Sequence, residues 1–212
     1  MISATRAIVL NPLRYGDNSL IVNLYTESMG RQTGFVKGVF SKKSAMRVAL
    51  FQPLHLVETD LHYRANRQIQ RLANVRMYYP FQNITFDPVK SCIALFIAEI
   101  LYKTLKEEEA NQELFDFLLH AIQAFDLNEH GTANFHLVFL VHYSRYLGFY
   151  LKYDHLMLPQ LFGMSFDNLN SLQISHHQRN YLTEYLLGYY SMHVAGFGKL
   201  KSFPILRDIF QD

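Results

Sequence analysis

Along roughly the first 80 residues the apolar positions fall in short runs bounded by turn residues. Leu20-Ile21-Val22-Asn23-Leu24-Tyr25-Thr26 lies between Gly16-Asp17-Asn18 and Ser28-Met29-Gly30, and the chain returns through Gln32 to Val39. β-Branched and aromatic residues between such turn signals predict two strands of a hairpin. Thr5 to Leu10 alternates and halts at Asn11-Pro12, which predicts a strand before it. Leu54 to His62 and Gln68 to Met77, separated by Arg64-Ala65-Asn66-Arg67, supply two more. Five short strands with no long helix among them predict an OB-type β-barrel or a related small barrel.

At Tyr78-Tyr79-Pro80 the period changes, and apolar residues then recur at intervals of three and four, as on helices. Asp87-Pro88 is a start signal, an amide-capping carboxylate before a proline at the first helical position, for a helix reaching about Lys106. Asn111 can cap a second, whose inner face carries Leu114, Phe117, Leu118, Ala121, Ile122 and Phe125. Thr132 to Leu147 is apolar on several sides, as a central helix must be, and Gly148 is placed to end it. Pro159 to Asn170 reads as a loop. Ser175-His176-His177-Gln178 has capping-box form and opens a helix to about Val194. A short turn follows from Ser202. The expected fold class is α+β: an N-terminal five-stranded OB-type β-barrel over 1–79, followed by an all-helical domain over 80–212.

Half of the 212 residues are apolar and 15% are aromatic, which excludes a disordered polymer. No apolar run approaches the roughly 20 residues of a membrane helix, and residues 1–6 lack signal-peptide form. The single cysteine, Cys92, excludes an internal disulfide and a multi-cysteine zinc site. These features together predict a soluble, cytoplasmic protein. Net charge adds a division. Residues 1–80 carry 11 Lys/Arg against 4 Asp/Glu, whereas residues 81–212 carry 9 against 14. A basic first half with clustered cations predicts a polyanionic partner for it.

No motif promises covalent chemistry. Ser41 and Ser44 have no nucleophile elbow around them, and Gly30, Gly34 and Gly38 do not form a phosphate loop with Lys37 or Lys42. Cys92 falls on an inner helical face. Ten histidines invite a metal, but His136 and His142 are six apart, and adjacent His176 and His177 diverge by about 100° on a helix. His142 reads as a hydrogen-bonded core histidine. Neither a cofactor nor a metal is expected.

What remains is cations interleaved with aromatics: Arg6, Arg14, Arg31, Lys37, Lys42, Lys43, Arg47, Arg64, Arg67 and Arg71 beside Tyr15, Tyr25, Phe35, Phe40 and Tyr63. Barrels that hold single strands use cations for phosphates and aromatic faces for bases. The DNA-binding candidates are Arg14, Arg31, Lys37, Lys42, Lys43, Arg47, Arg64 and Arg67. A rival reading is a protein-only adaptor whose basic face meets acidic protein tails.

Tyr15-Gly16-Asp17, Leu20-Ile21-Val22, Leu24-Tyr25-Thr26 and Gly30, then Val36-Lys37-Gly38 and Phe51-Gln52-Pro53-Leu54, resemble the bacterial recombination mediator RecO family in order and spacing. Tyr189-Tyr190, His193, Gly196-Phe197, Lys201-Ser202 and Ile205-Leu206-Arg207 resemble the closing segment of its Bacteroidetes-type members. The resemblance implies a non-enzymatic DNA-repair protein, monomeric when free and nucleoid-associated in the cytoplasm. It would bind single- and double-stranded DNA, anneal complementary strands, and help load RecA with RecR. It also implies that the helical domain holds the C-terminal tail of single-stranded-DNA-binding protein. An acidic, apolar-ended tail calls for an apolar wall beside cations, and Leu137, Val141, Arg145 and Lys152 are the expected residues. Many members carry a four-cysteine zinc module; the region Leu158 to Ser171 holds no cysteine here.

Overall fold

The computed structural model describes residues 1–40, 48–151 and 157–210. Five strands, β1 (Ile2–Tyr15), β2 (Ser19–Thr26), β3 (Gly30–Lys37), β4 (Leu56–His62) and β5 (Gln70–Tyr79), close a barrel in the order β1-β2-β3-β5-β4. This is the predicted OB-type barrel. All pairings are antiparallel except β3–β5, which meet in parallel through Gly34↔Gln70 and Phe35↔Arg71. Gly34 permits that closure: a Cβ there would lie 2.4 Å from a methyl of Leu72. Inward-facing Ala7, Val9, Leu20, Val22, Leu24, Val36, Val57, Leu61 and Leu72, with Val39 and Phe51, fill the interior.

β1 does not stop at Asn11-Pro12. It shifts register between Val9 and Asn11 and continues to Tyr15, paired there with β2 alone. A proline on a strand paired along one edge forfeits no second ladder, so Pro12 is tolerated opposite Val22.

The helices are α1 (Pro88–Thr104), α2 (Gln112–Leu127), α3 (Phe135–Tyr146), α4 (Leu158–Gly163), α5 (His176–His193) and α6 (Ser202–Asp208). The starts of α1, α2 and α5 follow the predicted chemistry. Asp87 Oδ1 accepts from the amides of Val89 and Lys90, Asn111 Oδ1 accepts from Leu114, and the Ser175–Gln178 capping box is complete. The predicted loop 159–170 contains α4 and a 3-10 segment, Phe166–Ser171. Buried Leu158, Leu161, Phe166 and Leu169 hold these short elements by packing, which composition alone does not reveal.

The chain divides into two compact units. One comprises 1–81 with 98–119; the other comprises 82–97 with 120–212. In the first, Arg31 donates to the carbonyls of Tyr102 and Leu105 at 3.0 and 3.1 Å, and Gly30 lies against the backbone of Glu107 and Glu109. In the second, α3 is buried nearly all round, as its composition predicts. Phe125, Phe135 and Phe166 stack across it, and the Tyr190 hydroxyl donates to the Leu140 carbonyl at 2.8 Å.

Candidate nucleic-acid interface

The strand registers align one outward row across all five strands: Leu13↔Ile21, Ile21↔Phe35, Phe35↔Arg71, Arg71↔His62 and His62↔Ile2. Leu13 and Ile2 are 58% and 64% exposed, Arg71 is exposed, and Ile21, Phe35 and His62 are half-buried. A neighbouring row sets Tyr15, Ser19 and Lys37 side by side. Tyr15 meets Phe35 edge to face at 6.0 Å between centroids, and the Lys37 ammonium lies 6.0 Å from the Phe35 ring. The surface thus presents apolar side chains and two aromatic rings beside cations. Two clefts flank Arg71. One, of about 490 Å³, lies where β3 and β5 part and includes Phe35, Lys37, Phe51 and Asn74. The other, of about 240 Å³, includes Arg64, Arg67, His62 and Tyr63.

The barrel's cations separate into engaged and open groups. Arg6 forms a bidentate pair with Glu27 and donates to the Tyr78 hydroxyl at 3.1 Å. That pairing holds the Glu27 carboxyl below its usual range. Arg76 pairs with Glu58 at 2.6 Å. Arg31, expected on the DNA path, is half-buried and committed to its own unit. Besides the two helix carbonyls it donates to Asn23 Oδ1 at 3.1 Å, and burial lowers its pKa from the ordinary value. The Tyr102 and Leu105 carbonyls lie more than 70 residues away in sequence, so no local pattern could have removed Arg31 from the set.

Arg14, Lys37, Arg64 and Arg67 are exposed and have no acidic partner among the described residues. Arg14 stacks over Phe40 at 4.8 Å and reaches the carbonyls of Gly16 and Asp17. Lys42, Lys43 and Arg47 lie outside the described residues. Arg71 joins the open set. It shares the outward alternation of β5, and only the parallel closure reveals that it sits beside Phe35.

In the helical unit, Leu137 and Val141 are completely buried, so they cannot form the exposed apolar wall expected of them. Their helix lies in the middle of its unit and spends both side chains on packing. Arg145 is exposed and lies over the Phe162 ring at 5.6 Å. Lys152 lies outside the described residues. His142 bonds the Met164 carbonyl at 2.8 Å, as read from its apolar surroundings. The rings of His176 and His177 approach to 3.8 Å rather than diverging. Among the described residues no three His, Cys, Asp or Glu side chains lie together so that they could hold a metal ion. Among the described residues no helix is long and apolar enough to cross a membrane.

The family model for the recombination protein O N terminal matches residues 1–81, and that for the recombination protein O C terminal matches residues 85–157. The chain belongs to the RecO family. It is 34% identical to the DNA repair protein RecO of Phocaeicola vulgatus, with 99% of this chain and all of that protein aligned. It is 36% identical to the RecO of Bacteroides fragilis over the same shares, and 34% identical to that of Flavobacterium psychrophilum over 97% and 98%. RecO membership supports a role in DNA repair and recombination.

Proposed function

We propose that this RecO-family chain is a non-enzymatic, DNA-binding recombination mediator. The observation that carries the reading is the outward row in which Phe35 and Arg71 pair side by side. Lys37, Arg64 and Arg67 lie around it, uncommitted to any acid among the described residues. Aromatic faces stack bases without regard to sequence, and unpaired cations take phosphates. Annealing of complementary strands needs no catalytic residue, because its barrier is largely phosphate repulsion that a cationic surface screens. RecR, and through it the loading of RecA on single strands coated by single-stranded-DNA-binding protein, are the partners this reading inherits from the family.

Binding of a labelled single-stranded oligonucleotide across a salt series tests it. Five contacts, from Arg14, Lys37, Arg64, Arg67 and Arg71, at about −0.7 each would give a log–log slope near −3.5. No binding at low salt would replace this reading with the protein-only adaptor. For the cationic loop expected from the sequence at Lys42 and Lys43, Lys42→Glu with Lys43→Glu should weaken binding uniformly and flatten the slope. An unchanged slope would take that loop off the path.

For the tail of single-stranded-DNA-binding protein, Arg145 over Phe162 remains the proposed contact, with apolar surface supplied by Phe162 rather than by Leu137 or Val141. Arg145→Ala should weaken tail-peptide binding by about tenfold, the equivalent of 1.4 kcal/mol. Unchanged affinity in a folded variant would move the site elsewhere.

A further inference from the structure

The smaller of the two clefts beside Arg71 has a composition that a general backbone-binding surface does not require. Arg64, Arg67 and Arg71 line it together with His62, and Ile69 and Tyr63 supply its apolar side. None of the three guanidinium groups has an acidic partner among the described residues, although Arg6 and Arg76 of the same barrel are both ion-paired. Three like charges gathered around one small space repel one another, and a bound anion relieves that repulsion.

The cleft is also built rather than frayed. The loop between β4 and β5 is tied from inside by the buried side chain of Gln70. Its Oε1 accepts from the amide of Arg64 at 2.9 Å, and its Nε2 donates to the carbonyls of Arg64 and Arg67 at 3.1 and 2.7 Å. The amide of Arg67 donates in turn to the Arg64 carbonyl at 3.0 Å. Arg71 sits on β5, fixed between Phe35 and His62 by its register with β3 and β4. Two arginines on a tethered turn and one on a strand therefore face a common volume at little ordering cost on binding.

We propose that this cleft takes the terminal phosphomonoester of a nucleic-acid strand, an inference that rests on the nucleic-acid reading of the barrel. An internal phosphodiester carries a single charge. A terminal monoester carries about −1.5 to −2 at neutral pH and offers three acceptor oxygens. Each oxygen can meet a guanidinium, whose planar fork suits phosphate better than an ammonium does. Tyr63 and Ile69 then face the sugar or base of the end nucleotide. Arg71, common to both clefts, carries the strand from its end toward Phe35 and Lys37.

The full chain is titrated with one short single-stranded oligonucleotide in three forms: phosphorylated at the 5′ end, phosphorylated at the 3′ end, and hydroxyl-ended. The expected result is about tenfold tighter binding of at least one phosphorylated form, a difference of 1.4 kcal/mol. Excess inorganic phosphate at constant ionic strength should erase that difference. Arg64→Ala with Arg67→Ala should bring the ratio close to one. Gln70→Ala, which keeps every charge and removes only the tether, should also lower it, an effect that net charge alone would not produce. Equal affinity for all three forms overturns the cleft while leaving the nucleic-acid reading in place. If no form binds at low salt, both fall.

Discussion

Lys90 and Asp126 meet through the backbone rather than as an ion pair. The Lys90 ammonium, almost fully buried, donates to the Asp126 carbonyl at 2.8 Å and to the Asn128 carbonyl at 2.6 Å. The Asp126 carboxylate is thereby left to accept the amides of Gln82, Asn83 and Ile84 at 2.8, 2.9 and 2.9 Å. Lys90 thus satisfies carbonyls at the C-terminal end of α2, where a cation also complements the helix dipole. Asp126 anchors the turn that leads into α1.

Removing that carboxylate should be costly although Asp126 is no part of the candidate interface. Asp126→Ala strands three amides, that of Ile84 fully buried, and each unsatisfied buried group costs about 1–3 kcal/mol. The expected loss is about 3 kcal/mol in urea unfolding, with Asp126→Asn intermediate because one acceptor oxygen remains. A loss for Asp126→Ala within experimental error would mean that water replaces the carboxylate.

Gly30 combines a left-handed backbone, φ 59°, with a close approach. A Cβ there would lie 2.3 Å from the Glu109 carbonyl oxygen and 2.6 Å from that of Glu107, both main-chain atoms that cannot rotate away. Gly30→Ala should cost about 3 kcal/mol, with strain of 1–2 from the backbone and the rest from the clash. Gly16→Ala is the comparison. Its φ is 62°, but nothing lies within 4 Å of the added carbon, so only the strain should appear. Similar melting temperatures for the two variants would show that the Glu107–Glu109 segment gives way.

The strands and helix starts were legible because each is a local signal: period-two runs between turns, a cap, a capping box. β1 runs past Pro12, which reads as a stop in the sequence and is acceptable only because the strand is paired on one side there. α4 is not legible in the sequence because burial of Leu158 and Leu161, not local propensity, makes it a helix. At the candidate interface the cations could be found by composition, but their states could not. Arg31 and Arg71 are both strand arginines in a basic half. One is spent on carbonyls of Tyr102 and Leu105, and the other is left facing out beside an aromatic ring. Leu137 and Val141 failed as a binding wall for a related reason, since an apolar helix says that it is covered without saying by what.

His136 makes stability sensitive to acid. Burial, reinforced by the nearby Arg179 charge, pushes its pKa down from the ordinary 6.5 to about 3. Its ring packs against Phe96 and Phe210 and bonds the Thr183 hydroxyl at 2.9 Å. The unfolded chain therefore takes up a proton below pH 6.5 that the folded chain refuses until about pH 3. The stabilisation is complete above pH 6.5 and is lost on acidification through that window, at up to about 1.4 kcal/mol per pH unit. His136→Gln keeps a partner for Thr183 and does not titrate. Its stability should fall less steeply than wild type between pH 6.5 and 4, by the equivalent of one proton. Parallel curves would place the proton elsewhere.

The separation of engaged from open cations predicts that equal losses of charge will have unequal effects. Arg31→Ala removes a guanidinium from two helix carbonyls and from Asn23, so it should lower the unfolding midpoint by the equivalent of about 2 kcal/mol. It should leave the salt dependence of oligonucleotide binding unchanged, because the group was not available to a phosphate. Arg71→Ala should do the reverse. Exposed, and with no acidic partner among the described residues, it can be removed with little change in stability. The log–log slope should then become shallower by about 0.7, the increment for one lost contact to a single strand. Net charge falls by one in both variants, so a dependence on total charge alone would shift both slopes equally. That outcome would reduce the barrel's role to diffuse attraction. A shift confined to Arg71 would assign phosphate contact to the row beside Phe35.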